Sequence, residues 1–112
     1  MTLRQKQSKF TLLLTKLIRY AAKQGLEPVL DEVYRPPELA DLYAALGRGS
    51  AKSLHTLKLA ADVNCYRDGK FLSKTSDYEA LGSYWKSLDT DCRWGGDFDD
   101  GRHFSLTHGG RA

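Results

Sequence analysis

A single apolar stripe runs along the first two dozen residues and sets the terms for the rest of the chain. Phe10, Leu13, Leu14, Leu17, Ile18 and Ala21 recur at spacings of three and four, which places them on one face of a helix over about Leu3 to Gln24. Lys and Arg residues fill the other face, which reads as a solvated face rather than as a binder of anionic surfaces. Gly25 follows as a C-cap, able to take the left-handed backbone that ends many helices. A one-sided helix must lay its stripe on another layer. With 112 residues there is material for one domain, spanning residues 1–112, and for one modest core.

The remaining segments read as that second layer. Glu27 to Tyr34 has the pattern of a strand, stopped by Pro36 and Pro37, since proline cannot donate to a ladder. Pro37 to Leu46 then reads as a helix with Leu39, Leu42, Tyr43 and Leu46 on one side. Gly47 to Ser53 is a flexible connector. Leu57 to Tyr66 is apolar and then β-like, and Arg67-Asp68-Gly69-Lys70 is a hairpin turn returning through Phe71-Leu72. Ser76 or Asp77 starts another helix to about Leu88, with Tyr78, Leu81, Tyr84, Trp85 and Leu88 inward. Cys92 to Trp94 and His103 to Leu106 are short strands joined by the loop Gly95 to Gly101. The expected fold class is α+β: a small antiparallel sheet packed with about three helices.

The composition, 41% hydrophobic and 28% charged, excludes wholesale disorder. A net charge of +3 is mildly basic, but the basic residues are scattered rather than clustered, so nucleic acid is not the expected partner. Cys65 and Cys92 are too few for a disulfide scaffold and lack CxxC spacing; reduced thiols are the simplest reading, with a single bridge left open. The apolar run Phe10 to Leu14 is far too short to span a bilayer, and stable membrane insertion is not expected. Lys16 and Arg19 interrupt any secretory signal, so the expected place of the protein is the cytoplasm.

Two short segments carry the chemistry. Ser53-Leu54-His55 is followed at Asp62 by a carboxylate, and Asp100-Gly101-Arg102-His103 lies near the C-terminus. A catalytic zinc needs three protein ligands and an open position, and His55, Asp62 and His103 supply two imidazoles and a carboxylate. Asp100 is left over as the carboxylate that water activation requires. His55 and Asp62 are seven residues apart, which fits a loop entering a strand and not an i, i+4 pair on one helix. Iron or cobalt also suits two histidines and a carboxylate with open positions.

Ser53-Leu54-His55-Thr56-Leu57-Lys58-Leu59-Ala60-Ala61-Asp62 resembles the Ser-x-His-x-x-Gly-x-Ala-x-Asp signature of a group of zinc peptidases. That group includes D-Ala-D-Ala carboxypeptidases, dipeptidases and the L-alanyl-D-glutamate endopeptidases of phage endolysins. Trp94-Gly95-Gly96-Asp97-Phe98 with Asp100 and His103-Phe104 is similar to the endolysin branch. The resemblance covers about half of the chain, Ser53 to Phe104. It implies a hedgehog/DD-peptidase-like fold, with His55, Asp62 and His103 as zinc ligands and Asp100 as the catalytic base. One departure is plain: Lys58 stands where the family has Gly, which implies a changed turn if that Gly serves a tight backbone approach.

The function this implies is cleavage of peptidoglycan stem peptides, at the L-Ala–D-Glu bond, by a monomeric phage or prophage endolysin without a wall-binding domain. Such an enzyme waits in the cytoplasm for a membrane lesion. A D-Ala-D-Ala carboxypeptidase or dipeptidase and a non-catalytic zinc-stabilised module are the alternatives. Stem peptides carry free carboxylates, so a cation near the cleft is expected: Arg48 first, then Lys58 or Arg102. Ser53 is a substrate contact or a shaper of the loop before His55. Trp94 and Tyr66 are candidates to line the substrate groove, Trp94 the first of them, with a packing role as the alternative. Asp97 reads as a turn residue, Asp99 as the rival base, and His108 as a residue near enough to reach the site.

Overall fold

The computed structural model describes residues 1–111. Helix α1, Leu3–Lys23, begins with a capping box in which the Thr2 hydroxyl accepts from the Gln5 amide and the Gln5 side chain accepts from the Thr2 amide. It ends at Gln24, with Gly25 at φ 81° just beyond. Its stripe is buried as the spacing requires: Phe10, Leu13, Leu14, Leu17 and Ala21 all lie in the core.

Helix α2 is Pro37–Ala45 and helix α3 is Glu79–Leu88. Strands β1 (Glu27–Leu30), β2 (Ala60–Arg67), β3 (Lys70–Phe71), β4 (Cys92–Trp94) and β5 (His103–Leu106) form one antiparallel sheet. Its order is β1-β2-β5-β4, with β3 folding back on β2 through the Asp68-Gly69 turn. Both turn residues have positive φ, as this type of hairpin demands.

The central strand β2 separates the two faces. Ala61, Val63 and Cys65 point into the helical layer, while Asp62, Asn64 and Tyr66 are half-buried on the other side. Trp85 pins α3 to the sheet: its indole N–H donates to the carbonyls of Arg93 (3.0 Å) and Ser105 (3.1 Å), and Phe10 meets its ring edge-on. Tyr78 ties β2 to the chain after β3, accepting from the Cys65 amide and donating to the Leu72 carbonyl. Pro28 is harmless in β1, because its partner Cys65 directs its amide to Tyr78 and its carbonyl to the Leu72 amide.

Three expectations need correction. Strand β1 stops at Leu30 rather than Tyr34. Beyond it Asp31 donates to the Asp62 carbonyl while Asp62 donates to the Glu32 carbonyl, so two residues face one as in a β-bulge. Helix α3 starts at Glu79, and Asp77 instead accepts from the Lys74 amide to start a 3₁₀ turn, Thr75–Tyr78. Return strand β3 covers Lys70–Phe71, one residue earlier than the hairpin pattern placed it. Both cysteines are buried free thiols, and burial pushes Cys65 up to about 11 and Cys92 up to about 12.

Candidate metal centre

His55 sits in a 3₁₀ turn, Leu54–Leu57, started by Ser53, whose hydroxyl oxygen accepts from the His55 amide at 3.2 Å. The turn closes at Lys58, which holds the left-handed conformation at φ 57°, ψ 37°. The expected glycine position therefore keeps its glycine-type backbone. The turn is one that favours glycine, and it accommodates Lys58. Lys58 does not face the cleft, and its ammonium lies 5.1 Å over the Tyr34 ring.

Asp62 and His103 are directly opposed on β2 and β5. The ladder bonds beside them run from Val63 to Arg102, while the Asp62 amide turns outward to Glu32. They form a non-hydrogen-bonded pair, the kind in which facing side chains come closest. Asp62 Oδ1 lies 3.4 Å from His55 Nε2 and 3.4 Å from His103 Nδ1. All three donor atoms fall within 4.8 Å of one another.

Asp62 Oδ1 is buried and has no hydrogen-bond partner among the described residues. That is costly for a carboxylate oxygen, and it is resolved if a cation sits between the three groups. A tetrahedral zinc with bonds of about 2.0–2.1 Å has ligand–ligand edges of about 3.3–3.4 Å, which matches both separations. On the far side of the His55 ring, Nδ1 lies 3.3 Å from the Val33 carbonyl and 3.7 Å from Glu32 Oε1. A proton on Nδ1 directed at those acceptors leaves the Nε2 lone pair facing Asp62. The bulge after β1 is what turns Glu32 and Val33 toward His55. The Arg35 amide also donates to the His55 carbonyl at 3.1 Å, while its guanidinium pairs with Glu32.

In the metal-free protein the charges are strongly linked. Burial alone pushes the Asp62 carboxyl up, but its contacts with His103 and His55 reverse this and hold it well below the usual carboxylate range. Burial pushes the His55 imidazole down, and the Asp62 contact, the Val33 carbonyl and Glu32 outweigh it, so the net shift is upward. Burial raises the Asp100 carboxyl; His103 pulls it back and the Asp62 charge adds to the rise.

Asp100 lines the same cleft as His55, Asp62 and His103, a hollow of about 610 Å³. Its amide donates to the Gly95 carbonyl at 2.8 Å and its carbonyl accepts from the His103 amide at 3.1 Å, so the loop is fixed at both ends. Gly95 is needed there, since a Cβ would fall 2.1 Å from the Asp100 carbonyl oxygen. Asp99 accepts from the Thr75 hydroxyl at 3.0 Å and does not line this cleft. Between the two rivals the fold brings only Asp100 to the histidines.

Arg48 and Ser53 line the cleft, Arg48 with its guanidinium over the Tyr43 ring. Trp94 does not, and its expected substrate contact is corrected. It is 7% exposed, its indole N–H donates to the Gly101 carbonyl at 2.7 Å, and Gly82 and Gly96 press on its ring so closely that a Cβ on either would collide. Trp94 thus holds the loop that carries Asp100. Tyr66 packs on Phe71 and Arg102 donates to Asn64, both away from the cleft. Asp97 pairs with Lys86. His108 forms a backbone bridge with Arg111, and it is Arg111 that reaches the cleft.

Sequence reasoning missed four residues. Phe98, 51% exposed and 6.0 Å from the His103 ring, is the aromatic of the cleft. Arg35 and Arg111 add cations to its wall, and Glu32 stands behind His55. For Phe98 a signal existed, as it sits two residues before Asp100 in the same loop. For Arg35 and Arg111 none did.

No protein-family profile matches the chain, and no curated protein sequence does. Among solved structures, the L-Ala D-Glu endopeptidase ChiX of Serratia marcescens matches with a TM-score of 0.68 at 22% identity, over 84% of this chain and 77% of that one. The α+β architecture around this cleft is the fold that the endopeptidase also has.

Proposed function

We propose that the chain is a zinc-dependent peptidase of bacterial peptidoglycan that cuts stem peptides at the L-Ala–D-Glu bond, in the role of a phage or prophage endolysin. One observation carries the reading: an orphaned, buried Asp62 oxygen placed 3.4 Å from two imidazole nitrogens, with Asp100 beside them in one open cleft. The shared fold with an L-Ala D-Glu endopeptidase supports it, and so does the resemblance of the stretch from Ser53 to Phe104 to the zinc-peptidase signature. Release from the cytoplasm through a membrane lesion belongs to the same proposal.

His55 through Nε2, Asp62 through Oδ1 and His103 through Nδ1 would hold the ion. Zinc there supplies a Lewis acid that polarises a carbonyl and acidifies water. Asp100 takes the proton of the attacking water and passes it to the leaving amine, a general base and then a general acid. Its burial favours the first of these steps, because a carboxyl above its ordinary range is a stronger base and takes the proton more readily. Arg48, Arg35 and Arg111 line the cleft with positive charge suited to the free carboxylates of a stem peptide. Ser53 sets the amide and so the ring of His55.

Purified peptidoglycan digested by the protein and analysed by mass spectrometry tests the bond. Fragments with a new N-terminal D-Glu and a free L-Ala carboxylate are expected, and their formation stops with chelator and returns with zinc. Release of terminal D-Ala instead would replace the endopeptidase with a carboxypeptidase.

A further inference from the structure

Helix α1 carries six of the chain's 17 basic residues and no acidic one, leaving 11 basic residues against all 14 acidic ones elsewhere. Lys9 is paired with Asp89 and Lys6 reaches the Thr107 carbonyl. Lys16, Arg19 and Lys23 have no carboxylate partner among the described residues. Together with Leu12 they follow the spacing i, i+4, i+7, i+11, so all four share one outward face. Leu12 is 63% exposed at the N-terminal end of this cationic face. The fold adds Tyr84 and Leu88 of α3 beside Tyr20, making a groove of about 450 Å³ rimmed by the three cations.

We propose that this outer face of α1, with Tyr20 and Tyr84, docks the protein on an anionic phospholipid surface. Clustered Lys and Arg are drawn to such a surface, tyrosines suit its interface, and an exposed leucine adds a shallow apolar contact. The opposite stripe of α1 is spent on the core, and no helix of the described residues is long and apolar enough to cross a membrane. The helix therefore lies on the surface and does not insert. Nucleic acid fits less well, because bases bind by stacking on open aromatic faces. Tyr20 and Tyr84 are already stacked on each other, 4.1 Å apart and 6° from parallel. Docking by the helical layer leaves the cleft free, since Asp62 and His103 lie on the other face of the sheet. The inference is independent of the peptidase reading.

Co-sedimentation with vesicles tests it, comparing phosphatidylglycerol-containing vesicles with pure phosphatidylcholine. The protein should pellet with the first and not the second, and added salt should release it. Lys16→Gln, Arg19→Gln and Lys23→Gln together should weaken binding ~100-fold, at roughly a factor of five per cation. Neutralising the exposed Lys70, Lys74 and Arg93 to Gln makes the same change in net charge and should weaken it little. The Arg19→Gln variant alone should show a several-fold loss, which guards against misfolding of the triple variant. Equal loss in the two triple variants would overturn the proposal, as would equal binding to both vesicle types. Tighter binding to a single-stranded oligonucleotide than to phosphatidylglycerol at equal phosphate would also overturn it.

Discussion

Lys58 shows how a single residue can depart from a pattern without changing the fold. Its backbone is left-handed, a conformation that costs an L-residue about 1–2 kcal/mol and costs glycine little. Part of the gain from a glycine is lost to the freer unfolded chain. Lys58→Gly is therefore expected to stabilise the protein by about 0.5–1 kcal/mol in urea denaturation, with zinc affinity unchanged. His55 makes a second prediction. Its imidazole must be neutral to bind zinc, and its pKa in the metal-free protein is raised, so protons compete with the metal below that raised value. Zinc affinity should climb as pH rises through it and then level off, measured by competition titration. The stability of the metal-free protein should follow the same pair. The depressed Asp62 contributes above about pH 3.9, its unfolded value, and that contribution fades as pH falls toward its folded value. The raised His55 contributes below about pH 6.5 and that contribution is lost as pH rises through its folded value. Chelated protein should thus be most stable between those limits, and zinc should extend its stability upward in pH.

Elements decide whether these residues meet. Strand β5 brings His103 opposite Asp62, the bulge after β1 aims Val33 and Glu32 at His55, and Trp94 clamps the loop of Asp100. The clamp is testable through Gly82. In the interior of α3 a Gly-to-Ala change ordinarily gains about 1 kcal/mol of helix propensity. Here the added Cβ would lie 2.1 Å from the Trp94 ring. Gly82→Ala should instead destabilise by about 1–3 kcal/mol and lower activity by displacing Asp100, while zinc binding persists. What the sequence showed and hid follows the same division. The stripe of α1 and the Asp-Gly hairpin were legible because each is a local pattern with a local cause. Trp94 was misread because a three-residue strand beside two glycines does not reveal which face is inward. The bulge was invisible too, since it exists only through pairing with Asp62, some 30 residues later.

At the scale of the molecule, the sheet divides the work. Its helical side holds the core and turns a cationic face outward, and its other side carries the cleft. The candidate ligands were readable as an order of residue types, but Arg35, Arg111 and Phe98 come to the cleft from three segments far apart in sequence, so only the fold could assemble them. In the proposed reaction three side chains hold a zinc while Asp100 moves the proton. Hydrolysis of peptidoglycan by Asp100→Asn, loaded with zinc and compared with wild type at equal occupancy, tests that division most directly. The Asp100→Asn variant should bind one zinc per chain with near-wild-type affinity, with turnover lowered by about 10²–10⁴. Undiminished turnover with Asn at position 100, or a wild-type protein that binds no zinc, would contradict it.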